Sequence, residues 1–186
     1  EEGYHLTEDL TDTAIRFITD VKQVDPDKPF YLHFCPGATH APHHVPQEWA
    51  NRYRGAFDAG WDALREQVFA RQKELGVIPA DAELTERHDE IPAWDDIPDD
   101  IKPVLRRQME VYAGFLSHTA YHVGRLIKAL EDLGVLEDTL VYVIIGDNGA
   151  FGGRHAPGHF QRTNQLHRVR SVRDDGVSQG TYRQAR

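Results

Sequence analysis

The sequence predicts an α/β fold, and three observations predict it. Helical periodicity alternates with short apolar, β-branched or aromatic runs, each run is bounded by proline or glycine, and the last run stops at Gly146-Asp147-Asn148-Gly149. A loop rich in polar groups at the end of a buried strand is where open α/β sheets place their ligands.

The elements follow in order. Thr7–Val21 reads as a helix: Thr7 caps it, Glu8 and Asp9 occupy the first turn, and Leu10, Ala14, Phe17, Ile18 and Val21 fall on one face. Pro26 and Pro29 mark a turn, and Phe30–Phe34, aromatic and closed by Pro36, suits a buried strand. The stretch from Pro36 to Pro46 holds too many prolines for regular structure and reads as a loop leaving that strand. Trp61–Leu75 is a second helix with Gly76 at its C-terminus. Val77–Lys102 is an exposed connection with little core. Val104–Leu133 is the strongest periodic segment, with Leu105, Met109, Tyr112, Leu116, Val123, Leu126, Ile127, Leu130 and Leu133 three and four apart before Gly134. Thr139–Ile145 is apolar throughout, as expected of a central strand covered on both faces.

The chain has 186 residues, 40% hydrophobic and 27% charged, which suits one globular domain. No apolar run approaches the roughly 20 residues that cross a bilayer, so no membrane span is expected. Glu1-Glu2-Gly3 is not a signal peptide. The single cysteine, Cys35, excludes an internal disulfide. A net charge of −9 argues against nucleic acid as a partner. The charge is uneven: residues 1–150 hold 14 Lys/Arg and 28 Asp/Glu, whereas residues 151–186 hold seven Arg, no Lys and two Asp. The two parts are therefore read separately.

Asp147 and Asn148 offer a carboxylate and an amide carbonyl, hard oxygen donors suited to calcium or magnesium, between glycines that let the backbone turn. The same residues also suit a plain turn. An EF-hand loop is excluded, because its alternating acidic ligands are absent. His40 lies in Gly37-Ala38-Thr39-His40-Ala41-Pro42-His43-His44, on the carboxyl side of the other strand. If the strands are parallel, His40 and Asp147 reach one rim, where an imidazole can bind an anionic ester or protonate a leaving oxygen. A zinc triplet of His40, His43 and His44 lacks a clear fourth ligand, and a surface histidine loop is the plainer alternative. Cys35 reads as a small core residue with no adjacent base. His118 and His122 read as packed or solvated, and Asp95-Asp96 and Asp99-Asp100 as solvated acids.

Together these pieces resemble the sulfatase family of the alkaline phosphatase superfamily. The resemblance runs from Tyr4 to Ala150 and includes Lys28-Pro29-Phe30, His40-Ala41-Pro42, Trp49–Tyr53, Ala70–Ala80, and Met109–Ala113 through Gly124-Arg125-Leu126 to Gly146-Asp147-Asn148-Gly149. It implies a partial alkaline-phosphatase-like sandwich, a mixed, mostly parallel sheet flanked by helices. It also implies calcium-dependent hydrolysis of a small-molecule sulfate ester of the arylsulfatase type, with Asp147 and Asn148 as metal ligands and His40 on the sulfate and its leaving oxygen. A phosphodiesterase or phosphonate hydrolase of the same superfamily is the second reading, and a non-catalytic remnant the third.

The family's nucleophile is a formylglycine made from the Cys or Ser of a C/S-x-P-x-R motif. Cys35 is followed by Pro36-Gly37-Ala38-Thr39 and is not that precursor. The motif, its neighbouring Lys and His and an early aspartate pair are expected before Glu1, and a further lysine beyond Lys128, so the chain alone is expected to be inactive. Residues 151–186 do not continue the family pattern and are expected to be an out-of-frame reading without a fixed fold. Phe151–Arg170 can be encoded so that dropping the first base yields SADGTPRGTFNEPTSFTGF, which restores the family's pattern after Ala150. Synonymous codons assist such a fit, but they cannot freely create one so long.

Overall fold

The computed structural model describes residues 3–146. Four α-helices, α1 (Leu6–Val24), α2 (Gln47–Asn51), α3 (Gly60–Glu74) and α4 (Lys102–Asp132), and a 3-10 turn at Trp94–Asp96 account for the regular structure of these residues.

Helix α1 starts one residue before the expected position, and its cap is His5 rather than Thr7. The His5 imidazole accepts the Thr7 N–H at 3.2 Å, an orphan donor of the first turn. The buried face is also rotated: Thr7, Thr11, Ala14 and Ile18 point inward, while Phe17 is half exposed. Threonine tolerates this burial because the Thr11 hydroxyl donates to the Thr7 carbonyl at 2.7 Å. Helices α3 and α4 end as their glycines predict. Gly76 and Gly134 take φ of +69°, and the next N–H closes back on Gln72 and Leu130 respectively.

Helix α4, 31 residues and about 45 Å long, is the spine of the described part. Its C-terminal half packs Leu126 and Leu130 against Ala14 and Ile18 of α1. Phe30, Leu32 and Phe34 close over that cluster, and Tyr31, His33 and Cys35 face out, so the segment alternates as a strand should. The N-terminal half departs from the expected apolar stripe. Met109 and Leu116 are exposed, and the buried line is Glu110, Gly114, Phe115, His118, Thr119 and His122.

That line is small and polar because other backbone lies on it. A Cβ on Gly114 would fall 2.7 Å from the Ala50 backbone, so only glycine lets α2 lie this close. In an open helix, Gly→Ala would gain about 1 kcal/mol. Here the added methyl meets main chain, and overpacking of about 1–3 kcal/mol outweighs the gain. Gly114→Ala is therefore expected to lower the urea midpoint; a variant as stable as the parent would contradict the contact. Glu110, nearly buried, holds the following turn by accepting the Gly55 N–H at 2.9 Å, and pairs with Arg107 at 2.8 Å.

The connection expected to lack a core has one. Trp94 is buried edge-on against Trp61, its N–H donates to Asp62 at 2.8 Å, and its ring fills the space that a Cβ on Gly60 would take.

The sheet is where expectation and structure differ. Among the described residues there is no strand: residues 30–34 and 139–145 carry no ladder hydrogen bonds. The second segment exposes its apolar side chains on both faces, from 40% at Val141 to 94% at Ile144. A strand exists only through its neighbours, and these residues have the composition of one that needs neighbours on each side.

Candidate functional site

The candidate site is the loop after residue 35, which carries His40. A turn closed by the His40 N–H on the Gly37 carbonyl at 2.8 Å lifts the imidazole to the surface. The loop includes cis peptides before Thr39 and Pro42. It is fastened to α4 from both sides of His40. Thr39 donates its hydroxyl hydrogen to the Tyr112 hydroxyl at 2.7 Å, and the His43 ring meets Tyr112 edge-on at 5.2 Å. Farther along, the His44 carbonyl accepts from His5 Nε2 at 3.0 Å. Tyr112, His5 and Thr39 are supports that the linear sequence did not single out. Their signal is spatial, since Thr39 and Tyr112 are 73 residues apart.

The Ala41 carbonyl accepts from His40 Nδ1 at 2.6 Å. A carbonyl can only accept, so the hydrogen of this bond is on Nδ1. His40, His43 and His44 do not gather as a metal triplet; among the described residues the group with metal-ligand spacing is His5, Glu8 and His118. Asp147 and Asn148 lie outside the described residues.

Two expectations are corrected. Cys35 is exposed rather than packed in a core, because the alternation that buries Phe34 turns it outward. It also has a base beside it, with Sγ 3.1 Å from His33 Nε2, since residues two apart share a strand face. His118 and His122, by contrast, are packed as read, with 1% and 5% exposure.

Burial holds the imidazoles of His118 and His122 below the usual histidine range. At His118 the hydrogen bond to Glu8 opposes this in part; at His122 the positive neighbours His118 and Arg125 add to it. Their pKa is therefore lower folded than unfolded. As pH falls through about 6.5 the unfolded chain takes up protons first, and stability present at neutral pH is lost towards the folded pKa values. Glu110 is depressed by its hydrogen bond to Arg107, so its contribution persists until pH falls below the ordinary carboxylate value of 4.5. The urea midpoint should drop on moving from about pH 7.5 to about pH 5.5, less so in His122→Gln; a flat profile there would contradict this.

Comparison with known proteins places the chain in a family. The sulfatase family model matches residues 1–170. An uncharacterized sulfatase of Schizosaccharomyces pombe is 32% identical over 148 residues, covering 75% of this chain and 25% of its own. Arylsulfatases of Klebsiella aerogenes and Clostridium perfringens are 29% and 25% identical, covering 70% and 83% of this chain. The chain belongs to the sulfatase family. It spans 25–28% of the length of these relatives. No helix among the described residues is long and apolar enough to cross a membrane.

Proposed function

We propose that the chain is the central part of an arylsulfatase-type catalytic domain, in a protein that hydrolyses sulfuric ester bonds with a calcium ion. Family membership supports the reaction class, and the observation that carries the assignment of roles is the His40 loop, exposed at its tip and fastened on both sides. In this reading residues 30–34 and 139–145 are strands of a mixed, mostly parallel sheet between helical layers. Asp147 and Asn148, at the end of the second, would hold calcium through a carboxylate and an amide oxygen; calcium would supply charge stabilisation, and the formylglycine of a C/S-x-P-x-R motif elsewhere in the whole protein would supply the nucleophile. His40 binds the sulfate and gives a proton from Nε2 to the departing phenolate oxygen.

Two oxygen ligands fall well short of the about six to eight that calcium takes, so the 186-residue chain should bind it weakly. Calorimetry is expected to show no saturable uptake at micromolar calcium. Micromolar affinity that vanishes in Asp147→Ala would overturn this division of the site. Residues 151–186 are, in the same reading, a shifted frame of the sulfatase continuation. The source DNA decides this by whether a neighbouring frame encodes the peptide given above.

A further inference from the structure

The strongest unassigned feature is a knot of histidines on one carboxylate, between the start of α1 and the middle of α4. His118 and His122 are one turn apart on one face of α4, the i, i+4 spacing by which a helix presents two imidazoles to one ion. Glu8, from the first turn of α1, faces both. Its Oε1 is 3.1 Å from His118 Nε2 and 3.9 Å from His122 Nε2. The His5 ring lies against that of His118, tilted by 55° with centroids 4.2 Å apart. One ligand atom each from His5, Glu8 and His118 lies within 4.8 Å of the others.

We propose that His5, Glu8 and His118, with His122 as a fourth donor, form a structural site for a borderline divalent cation of the zinc type. Its ligands are different residues from those of the proposed calcium site.

Donors about 2.0–2.2 Å from a tetrahedral ion stand about 3.3–3.6 Å from one another. The Glu8–His118 pair is already near that spacing, and the Glu8 side chain is 42% exposed, free to adjust to the others. Each imidazole has a nitrogen to give. Hydrogen-bonding its Nε2 to the His44 carbonyl leaves the lone pair of His5 on Nδ1, where an ion would replace the Thr7 N–H. Such a carbonyl partner is the usual support of a metal-bound histidine. His122 would bind through Nε2 as the tautomer with its hydrogen on Nδ1, which gives up the 3.1 Å contact from Arg125. His118, buried between Trp49 and His122, meets its carboxylate through Nε2 and has no partner at Nδ1. Three nitrogens and one carboxylate are a donor set for zinc, and too poor in oxygen for calcium. The ion would tie α1 to α4 and, through His5 and the His44 carbonyl, brace the loop that carries His40.

The test is equilibrium dialysis of the purified 186-residue chain against zinc, repeated with cobalt(II) to read coordination from its visible spectrum. One equivalent of zinc and a tetrahedral cobalt spectrum are expected, both unchanged in Asp147→Ala and His40→Ala. Removing a mere supporting partner weakens metal by about 10–100-fold, so Glu8→Gln, which removes a ligand, should weaken it by about 100-fold or more. Glu8→Gln changes a partly exposed side chain and keeps its shape; its helix content by circular dichroism should match the parent's, whereas His118→Gln risks the core. Failure to retain zinc, or zinc held as tightly by Glu8→Gln, would overturn the site. So would zinc that is lost in Asp147→Ala, which would assign it to the other position.

Discussion

Incubated with an aryl sulfate, the 186-residue chain is expected to release no phenol above the uncatalysed rate. The sequence contains no C/S-x-P-x-R motif, and Cys35, its one cysteine, stands in Cys-Pro-Gly-Ala-Thr. Catalytic groups that act as a unit fail as a unit, and loss of a nucleophile alone costs on the order of 10⁶ in turnover. His40 could still donate a proton, but general acid catalysis is worth about 10²–10⁴ and only when an attacking group is present. The remaining groups therefore cannot compensate. Turnover by purified chain that disappears in His40→Ala would contradict this, and would require a nucleophile among these residues. Among the described residues, thiol attack is the alternative with a base beside it, because His33 Nε2 sits 3.1 Å from the Cys35 thiol. Cys35→Ser would separate it from a contaminating enzyme.

The helices and their glycine stops were legible in the sequence because helix formation is local. Leu126 and Leu130 follow a 3.6-residue period, and Gly76 and Gly134 supply the positive φ that closes each last turn. Residues 30–34 were legible as a short apolar segment bounded by prolines, and the structure adds that Phe30, Leu32 and Phe34 turn inward. A sheet, however, is a relation between segments, and its partners do not show in a single run of residues. The same reason explains the other misses. The polar face of α4 is buried because α2 and the start of α1 lie on it, and nothing within α4 announces either neighbour. Trp94 is buried because Gly60, 34 positions earlier, leaves room for its ring. Cys35 was misplaced by averaging over cysteines instead of following the alternation from Phe34.

The candidate site was legible in part. His40 was selected from its loop and its resemblance to a family histidine, and the structure adds its supports, Thr39 on Tyr112 and the His44 carbonyl on His5. The knot around Glu8 escaped notice because Glu8 and His118, 110 residues apart, meet only once α1 is docked on α4.

The central claim is that His40 acts on a sulfate ester, and the second large effect tests it. The protein to use is a longer one that contains this chain together with a C/S-x-P-x-R motif, purified as parent and as His40→Ala. The measurement is kcat/KM for 4-nitrophenyl sulfate beside bis(4-nitrophenyl) phosphate. Thr39, His43 and His44 fasten the loop outside His40, and circular dichroism of His40→Ala beside the parent checks that the fold survives loss of the ring's bond to the Ala41 carbonyl. Loss of a proton donor to the leaving oxygen predicts a fall of about 10²–10⁴ in kcat/KM for the sulfate, smaller for more acidic phenols, with the sulfate preferred over the phosphodiester by the parent. Equal activity of parent and His40→Ala towards the sulfate, or a parent that prefers the phosphodiester, would contradict the account.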